Sequence, residues 1–258
     1  MAKGIYRITE EFEESLSAYT GAPYVIALDN ASNALFLSLY YEKNIAKTLK
    51  TNTITIPERT YISVPCEILN AGLKVKFKPV EGKTIKGAYQ LEGSNVWDSA
   101  LRFTTQMYIP GSFMCISMTG ALKTAKALSK VGAILCDSKE AYEWFKKSRF
   151  SGRNEISYHD DSFTQTGWNF YLNPELSLRC LIMMSQFYDN NGAKSNPDVE
   201  LPYPKLSDFS CYNVPQQNFS RDEVIQLIEN FTMSTYKIPL NSPERGEVCD
   251  KWFKENLT

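Results

Sequence analysis

Short apolar runs alternating with stretches of helical periodicity constrain this chain more than any other feature. "YVIAL" (24–28), "TITIP" (53–57), "KVKFKPV" (74–80), "FMCIS" (113–117) and "GAILC" (132–136) each have the length and composition of a strand. "GSNVWD" reads as a further short strand ending at Asp98. Helical patterns separate them. Thr9 reads as the cap of a first helix, with acidic residues behind it, Phe12, Leu16 and Tyr19 at helical spacing, and Gly21 at its end. "DNASNALFLSLYYEKN" is polar at its start and helical after that, "ISVPCEILNAG" is a Pro-interrupted helix closed by Gly72, and "SKEAYEWFKKSRF" is another helix. This rhythm predicts an α/β domain, a mainly parallel central sheet flanked by helices, with ligands at the carboxyl ends of strands.

The pattern changes after about residue 165. "NPELSLRCLIMMSQFY" (173–188) reads as one long helix, with Asn173 as cap and Pro174 in the first turn. "DNNGAKSNPDVELPYPKL" is polar and rich in Asn and Pro, which predicts a linker or long loop. The expected division is a large domain over 1–188, a linker over 189–204 and a small C-terminal domain over 205–258, with a capped helix at "SRDEVIQLIENF" (220–231).

Composition closes off several function classes. A formal net charge of -1 gives no electrostatic reason to expect nucleic acid. The single histidine, His159, excludes a histidine-rich metal site and argues against Ser-His-Asp chemistry. Cys66, Cys115, Cys136, Cys180, Cys211 and Cys249 form no C-x-x-C pair, which favours reduced thiols and a cytoplasmic setting. The N-terminal segment is charged and amphipathic without an apolar signal core, and no later segment is long enough to span a bilayer.

Four elements carry possible chemistry, and each has a plainer reading beside it. In "YVIALDNASNALFLSL" a strand runs through Asn30, Ala31 and Ser32 into a helix, placing backbone N–H groups and a hydroxyl where a phosphate could sit; a capped helix without a ligand looks the same. Tyr61, in "IPERTYIS", stands just past a strand end, where its face could cover a flat ligand or pack on the sheet edge. Asp98 ends an apolar strand among small neighbours, either as a buried carboxylate with a partner or as a cap. "SMTGALKTAKALSKVGAILCDS" holds Lys123, Lys126 and Lys130, any one of which is either a nucleophile or ordinary loop charge.

Taken in order, these segments resemble the DegT/DnrJ/EryC1/StrS family of sugar aminotransferases, pyridoxal-phosphate enzymes of fold type I. The resemblance runs through "FEESLSAYTG" (12–21), "NASNAL" (30–35), "PERTYISV" (57–64), "GLKVKFKP" (72–79), "NVWDSAL" (95–101), "SMTGALKTAKALSKVGAI" (117–134), "RFSG" (149–152) and "GWNFYLNPELS" (167–177). It thins out afterwards into "RDEVIQLI" and "IPL". The family's paired glycines fall on Val131 and Gly132, and counting back from them puts its Schiff-base lysine on Lys123, leaving Lys126 and Lys130 as loop positions.

The resemblance implies a fold type I transferase with a reduced C-terminal small domain, of the short, divergent kind that viral genomes carry. Its cofactor would be pyridoxal 5'-phosphate, its substrates a keto-sugar nucleotide and an amino donor such as glutamate. Lys123 would be the Schiff-base and acid/base residue, Asp98 the partner of the pyridine nitrogen and Tyr61 the ring's stacking neighbour. Ala31, Ser32 and Ser117 would hold the phosphate. Asn169 matches an asparagine that reaches the neighbouring subunit's phosphate, which implies a homodimer with shared active sites. The departures are Leu101 for a Gln or His near the phenolic oxygen, Asn30 and Ala31 in the phosphate turn, Tyr171 for an arginine, and Val131 for a glycine. Two rival readings are a pyridoxal-phosphate sugar dehydratase, against which Lys123 argues, and a family-derived binding protein without turnover.

Overall fold

The apolar runs are strands. A computed structural model of the chain describes residues 3–118, 130–191 and 200–212. The strands are β1 (Tyr24–Leu28), β2 (Thr53–Pro57), β3 (Lys74–Lys78), β4 (Thr84–Gln90), β5 (Val96–Leu101), β6 (Phe113–Ser117), β7 (Gly132–Cys136) and β8 (Glu200–Pro202). The helices are α1 (Lys3–Thr20), α2 (Ala31–Tyr40), α3 (Ser63–Asn70), α4 (Lys139–Ser148) and α5 (Pro174–Asn191).

The main sheet has the order β1-β7-β6-β5-β4-β8, and β2 and β3 pair in parallel as a separate ribbon. The α/β class holds, but the sheet is mixed rather than mainly parallel. Only β5 and β6 run parallel among the pairs of the main sheet; the others are antiparallel. Connection length accounts for one of these pairs: residues 91–95 are too few for a crossover, so β4 and β5 form a hairpin-like pair.

The strand β7 explains how the layers assemble. All five of its residues are buried, so it has helices on both sides. Successive residues of β1 and β7 alternate between two cores. Val25, Ala27, Ala133 and Leu135 join Phe12 and Leu16 of α1 and Cys180 and Met184 of α5. Ile26, Leu28, Ile134 and Cys136 join Leu35, Leu37 and Leu39 of α2, Ile68 of α3 and Phe145 of α4. Each fully buried Leu, Ile or Phe in these layers contributes about 1.5–3 kcal/mol from water exclusion.

Two local expectations need correcting. The helix α1 begins at Lys3, a turn and a half before Thr9. Thr9 is therefore inside the helix and fully buried, and its hydroxyl shares a 2.9 Å hydrogen bond with Ser177 Oγ of α5. A threonine can cap or can back-bond and pack, and burial against α5 selects the second. Asp98 likewise lies within β5, paired with Cys115 of β6, rather than at its end. Other boundaries stand: Gly21 and Gly72 adopt φ of 80° and 69° after α1 and α3, and Asn173 Oδ1 accepts from Glu175 N at the start of α5.

The segment expected as a linker carries regular structure at both ends. The helix α5 continues to Asn191, and β8 adds to β4 at the sheet edge. The chain divides into two compact units, Met1–Tyr212 and Asn213–Thr258; the helix expected at 220–231 lies outside the described residues. Among the described residues no helix is long and apolar enough to cross a membrane, and no cluster of three or more His, Cys, Asp or Glu could hold a metal ion.

Candidate active site

The turn from β1 into α2 is built by its own polar side chains. Asn30 is extended (φ -162°) and caps the helix, its side chain accepting from Asn33 N at 2.8 Å. Asp29 accepts from the side-chain amides of Asn33 at 2.7 Å and Asn30 at 3.0 Å, which fixes the turn's shape. Burial pushes the Asp29 carboxyl above its ordinary value, against those hydrogen bonds. Ala31 and Ser32 follow in the first helical turn, where N–H groups have no partner within the helix.

A second helix start meets the first. Ser63 opens α3, and its hydroxyl lies 2.7 Å from that of Ser32. Gly132, the first residue of β7, is packed so close to the turn that a Cβ there would stand 2.4 Å from Ala31 N and from the Asn30 carbonyl carbon. Only glycine admits this approach.

Asp98 supplies the carboxylate. It is 5% exposed, with Oδ2 accepting from the Tyr89 hydroxyl at 2.8 Å and Oδ1 from Ala100 N at 3.0 Å. Burial raises its pKa from the ordinary value, while these two hydrogen bonds pull the other way.

These pieces line one cleft of about 510 Å³, together with Leu101, Ser117, Lys130, Val131, Glu67, Leu201 and Tyr203. Ala31, Ser32, Tyr61, Asp98 and Ser117, separate in sequence, are thus brought together. Tyr61 keeps a largely free ring, 53% exposed, edge-on to Tyr203 at 6.2 Å. Of the remaining two candidates, Asn169 is not among the described walls of the cleft. Lys123 lies outside the described residues, as does Lys126. Asn169 is exposed and bridges to Phe150. Lys130, expected as a loop position, does stand at the cleft.

Sequence reasoning missed Ser63, Glu67, Tyr89 and Tyr203. Ser63 had a readable signal, as the hydroxyl that opens a helix within "PERTYISV". Tyr89 and Tyr203 had none, because β4 and β8 reach Asp98 only through antiparallel pairing that no local pattern announces. Burial half shields Glu67 and raises its pKa, against a hydrogen bond from Asn70.

The arginine of "RFSG" has a different task. Arg149 is fully buried; it binds Glu13 of α1, donates to the Ala27 carbonyl at 2.5 Å and reaches Glu155 at 2.5 Å. Lys146 closes the cluster on Glu13 at 3.2 Å and Glu155 at 2.8 Å. Burial alone would lower the Arg149 pKa, but the two glutamates raise it further. The cluster fastens α1 and α4 behind β1 and holds the sheet that presents the cleft.

Residues 3–89 match the DegT/DnrJ/EryC1/StrS aminotransferase family. No curated protein sequence matches. Solved structures do share the fold. AtS13 from Actinomadura melliaura aligns at 15% identity and TM-score 0.54, over 71% of this chain and 64% of that one. The sugar aminotransferase CalS13 from Micromonospora echinospora aligns at 16% and 0.52, over 76% and 70%. PseC from Helicobacter pylori, an aminotransferase involved in the biosynthesis of pseudoaminic acid, aligns at 15% and 0.52, over 69% and 57%. The fold is that of fold type I pyridoxal-phosphate transferases, and the chain spans under two thirds of the length of AtS13.

Proposed function

We propose that this chain, whose residues 3–89 carry the DegT/DnrJ/EryC1/StrS aminotransferase signature, is a pyridoxal-phosphate aminotransferase acting on a keto-sugar nucleotide, with glutamate as amino donor. The observation that carries the reading is the convergence of Ala31, Ser32, Tyr61, Asp98 and Ser117 on one cleft. The sugar substrate is supported by the family match and by the fold shared with the sugar aminotransferase CalS13 and with PseC.

The residues present fit the cofactor at both of its ends. Three hydroxyls (Ser32, Ser63 and Ser117) and the first-turn N–H groups of α2 suit a phosphate dianion, and Gly132 leaves the turn free of a side chain. Asp98 suits a protonated ring nitrogen, since a buried carboxylate favours a cationic partner. Bound there, pyridoxal phosphate supplies a reactive carbonyl and an electron sink. Asp98 would keep the ring nitrogen protonated. Tyr61 would shield the ring from water. Lys123 would hold the cofactor covalently, and its Nζ would be the group that moves the substrate's proton. Asn169 completes the phosphate site of a partner copy, so the working unit is a homodimer, in the cytoplasm.

One observation favours a second reading. Leu101 lines the cleft and offers no hydrogen bond to a phenolic oxygen, so a protein that binds the cofactor without turning over is the rival. Absorbance titration with pyridoxal phosphate, followed by a glutamate-dependent assay over keto-sugar nucleotides, separates them. Wild type should develop a visible-edge band that Lys123→Ala abolishes, and then form 2-oxoglutarate. A colourless wild type sinks both readings; a band without product selects the rival.

A further inference from the structure

Tyr89 stands behind the cleft wall, yet it grips the residue that faces the cleft. It sits on β4 directly opposite Asp98 in the β4–β5 pairing, which puts the two side chains on one face. Its hydroxyl donates to Asp98 Oδ2 at 2.8 Å and meets Thr60 Oγ1 at 2.6 Å. A phenol has one proton, and an ionised carboxylate can only accept. The Tyr89 proton therefore goes to Asp98, and Thr60 must donate to the Tyr89 oxygen. The result is a directed relay, Thr60 to Tyr89 to Asp98, in which each hydrogen bond polarises the next.

The relay answers a need. Asp98 is 5% exposed, and burial favours the neutral acid, which cannot hold a proton on a ring nitrogen. Among the described residues it has no ion pair; Tyr89 and the Ala100 N–H are the donors that support its charge. Among the described residues, Cys115 on β6 and Tyr203 after β8 are titratable groups beside it, and burial raises the pKa of both, so neither brings a charge at neutral pH; Tyr61, Glu67 and Lys130 line the same cleft without an ion pair to it. Thr60 is itself 2% exposed and adjoins Tyr61, so the relay also ties the loop that carries the stacking ring to the carboxylate.

We infer that Tyr89 is a positioning residue, which with Thr60 keeps Asp98 ionised and aimed into the cleft. Its use in catalysis rests on the reading of Asp98 given under Proposed function; its effect on Asp98 does not. The test uses the cofactor-free chain. Carboxyl carbon NMR, with the Asp98 signal assigned by its loss in Asp98→Asn, follows the titration in wild type, Tyr89→Phe and Thr60→Val. The expected shift is upward, by about one pH unit in Tyr89→Phe and by less in Thr60→Val. With pyridoxal phosphate added, the acid limb of the binding curve should move upward by the same amount. An Asp98 midpoint unchanged in Tyr89→Phe overturns the inference. Should that variant not fold, an unchanged midpoint in Thr60→Val does so. A wild type that stays colourless refutes the cofactor reading and leaves the titration as the judge of Tyr89.

Discussion

At the scale of single residues, the cleft depends on what is missing as much as on what is present. Gly132 matters through its lack of a Cβ, since one would meet Ala31 N and the Asn30 carbonyl carbon at 2.4 Å. Both are backbone atoms that cannot swing aside. Gly132→Ala should therefore displace the β1–α2 turn, costing about 1–3 kcal/mol in urea unfolding and weakening pyridoxal-phosphate binding in the same protein. Stability and affinity both left at wild-type values would mean the turn is not held by this approach. Serine positions were legible in sequence where a helix start announced them, as at Ser32. The Thr60–Tyr89–Asp98 relay was not, because hydrogen-bond partners contributed by an antiparallel neighbour leave no trace in local spacing.

At the scale of elements, strand cores were legible and strand directions were not. The boundaries of β1, β6 and β7 coincide with their apolar runs, since a strand buried on both faces must be apolar throughout; those of β2 coincide with a Thr–Ile alternation that buries one face. Direction leaves no local pattern: the short connection 91–95 accounts for the antiparallel β4–β5 pair, whereas β1–β7, β6–β7 and β4–β8 are antiparallel across longer stretches of chain. The elements are fastened by charge behind β1. Burial opposes ionisation of Glu155, but Arg149 and then Lys146 outweigh it, and its pKa lies below the ordinary 4.5. A depressed carboxylate stabilises the fold above its unfolded value and loses that contribution as pH falls through the folded one. Glu155→Gln should cost about 2 kcal/mol at pH 7, where it leaves the buried Arg149 and Lys146 to share Glu13 alone, and the gap to wild type should close as pH drops below 4.5. Thermal unfolding of both proteins across that range checks the sign; a gap that widens in acid would contradict the assignment.

At the scale of the whole molecule, helices on both faces of a mixed sheet bring residues from 30 to 203 to one cleft, and the fold type I likeness follows from that arrangement. In the proposed function this cleft holds pyridoxal phosphate through one lysine out of three. Borohydride reduction of the protein incubated with the cofactor, followed by peptide mass mapping, tests it most directly. A single phosphopyridoxyl adduct is expected, on Lys123, lost when Lys123→Ala is treated in the same way. An adduct on Lys126 or Lys130 instead, or none at all, would contradict it.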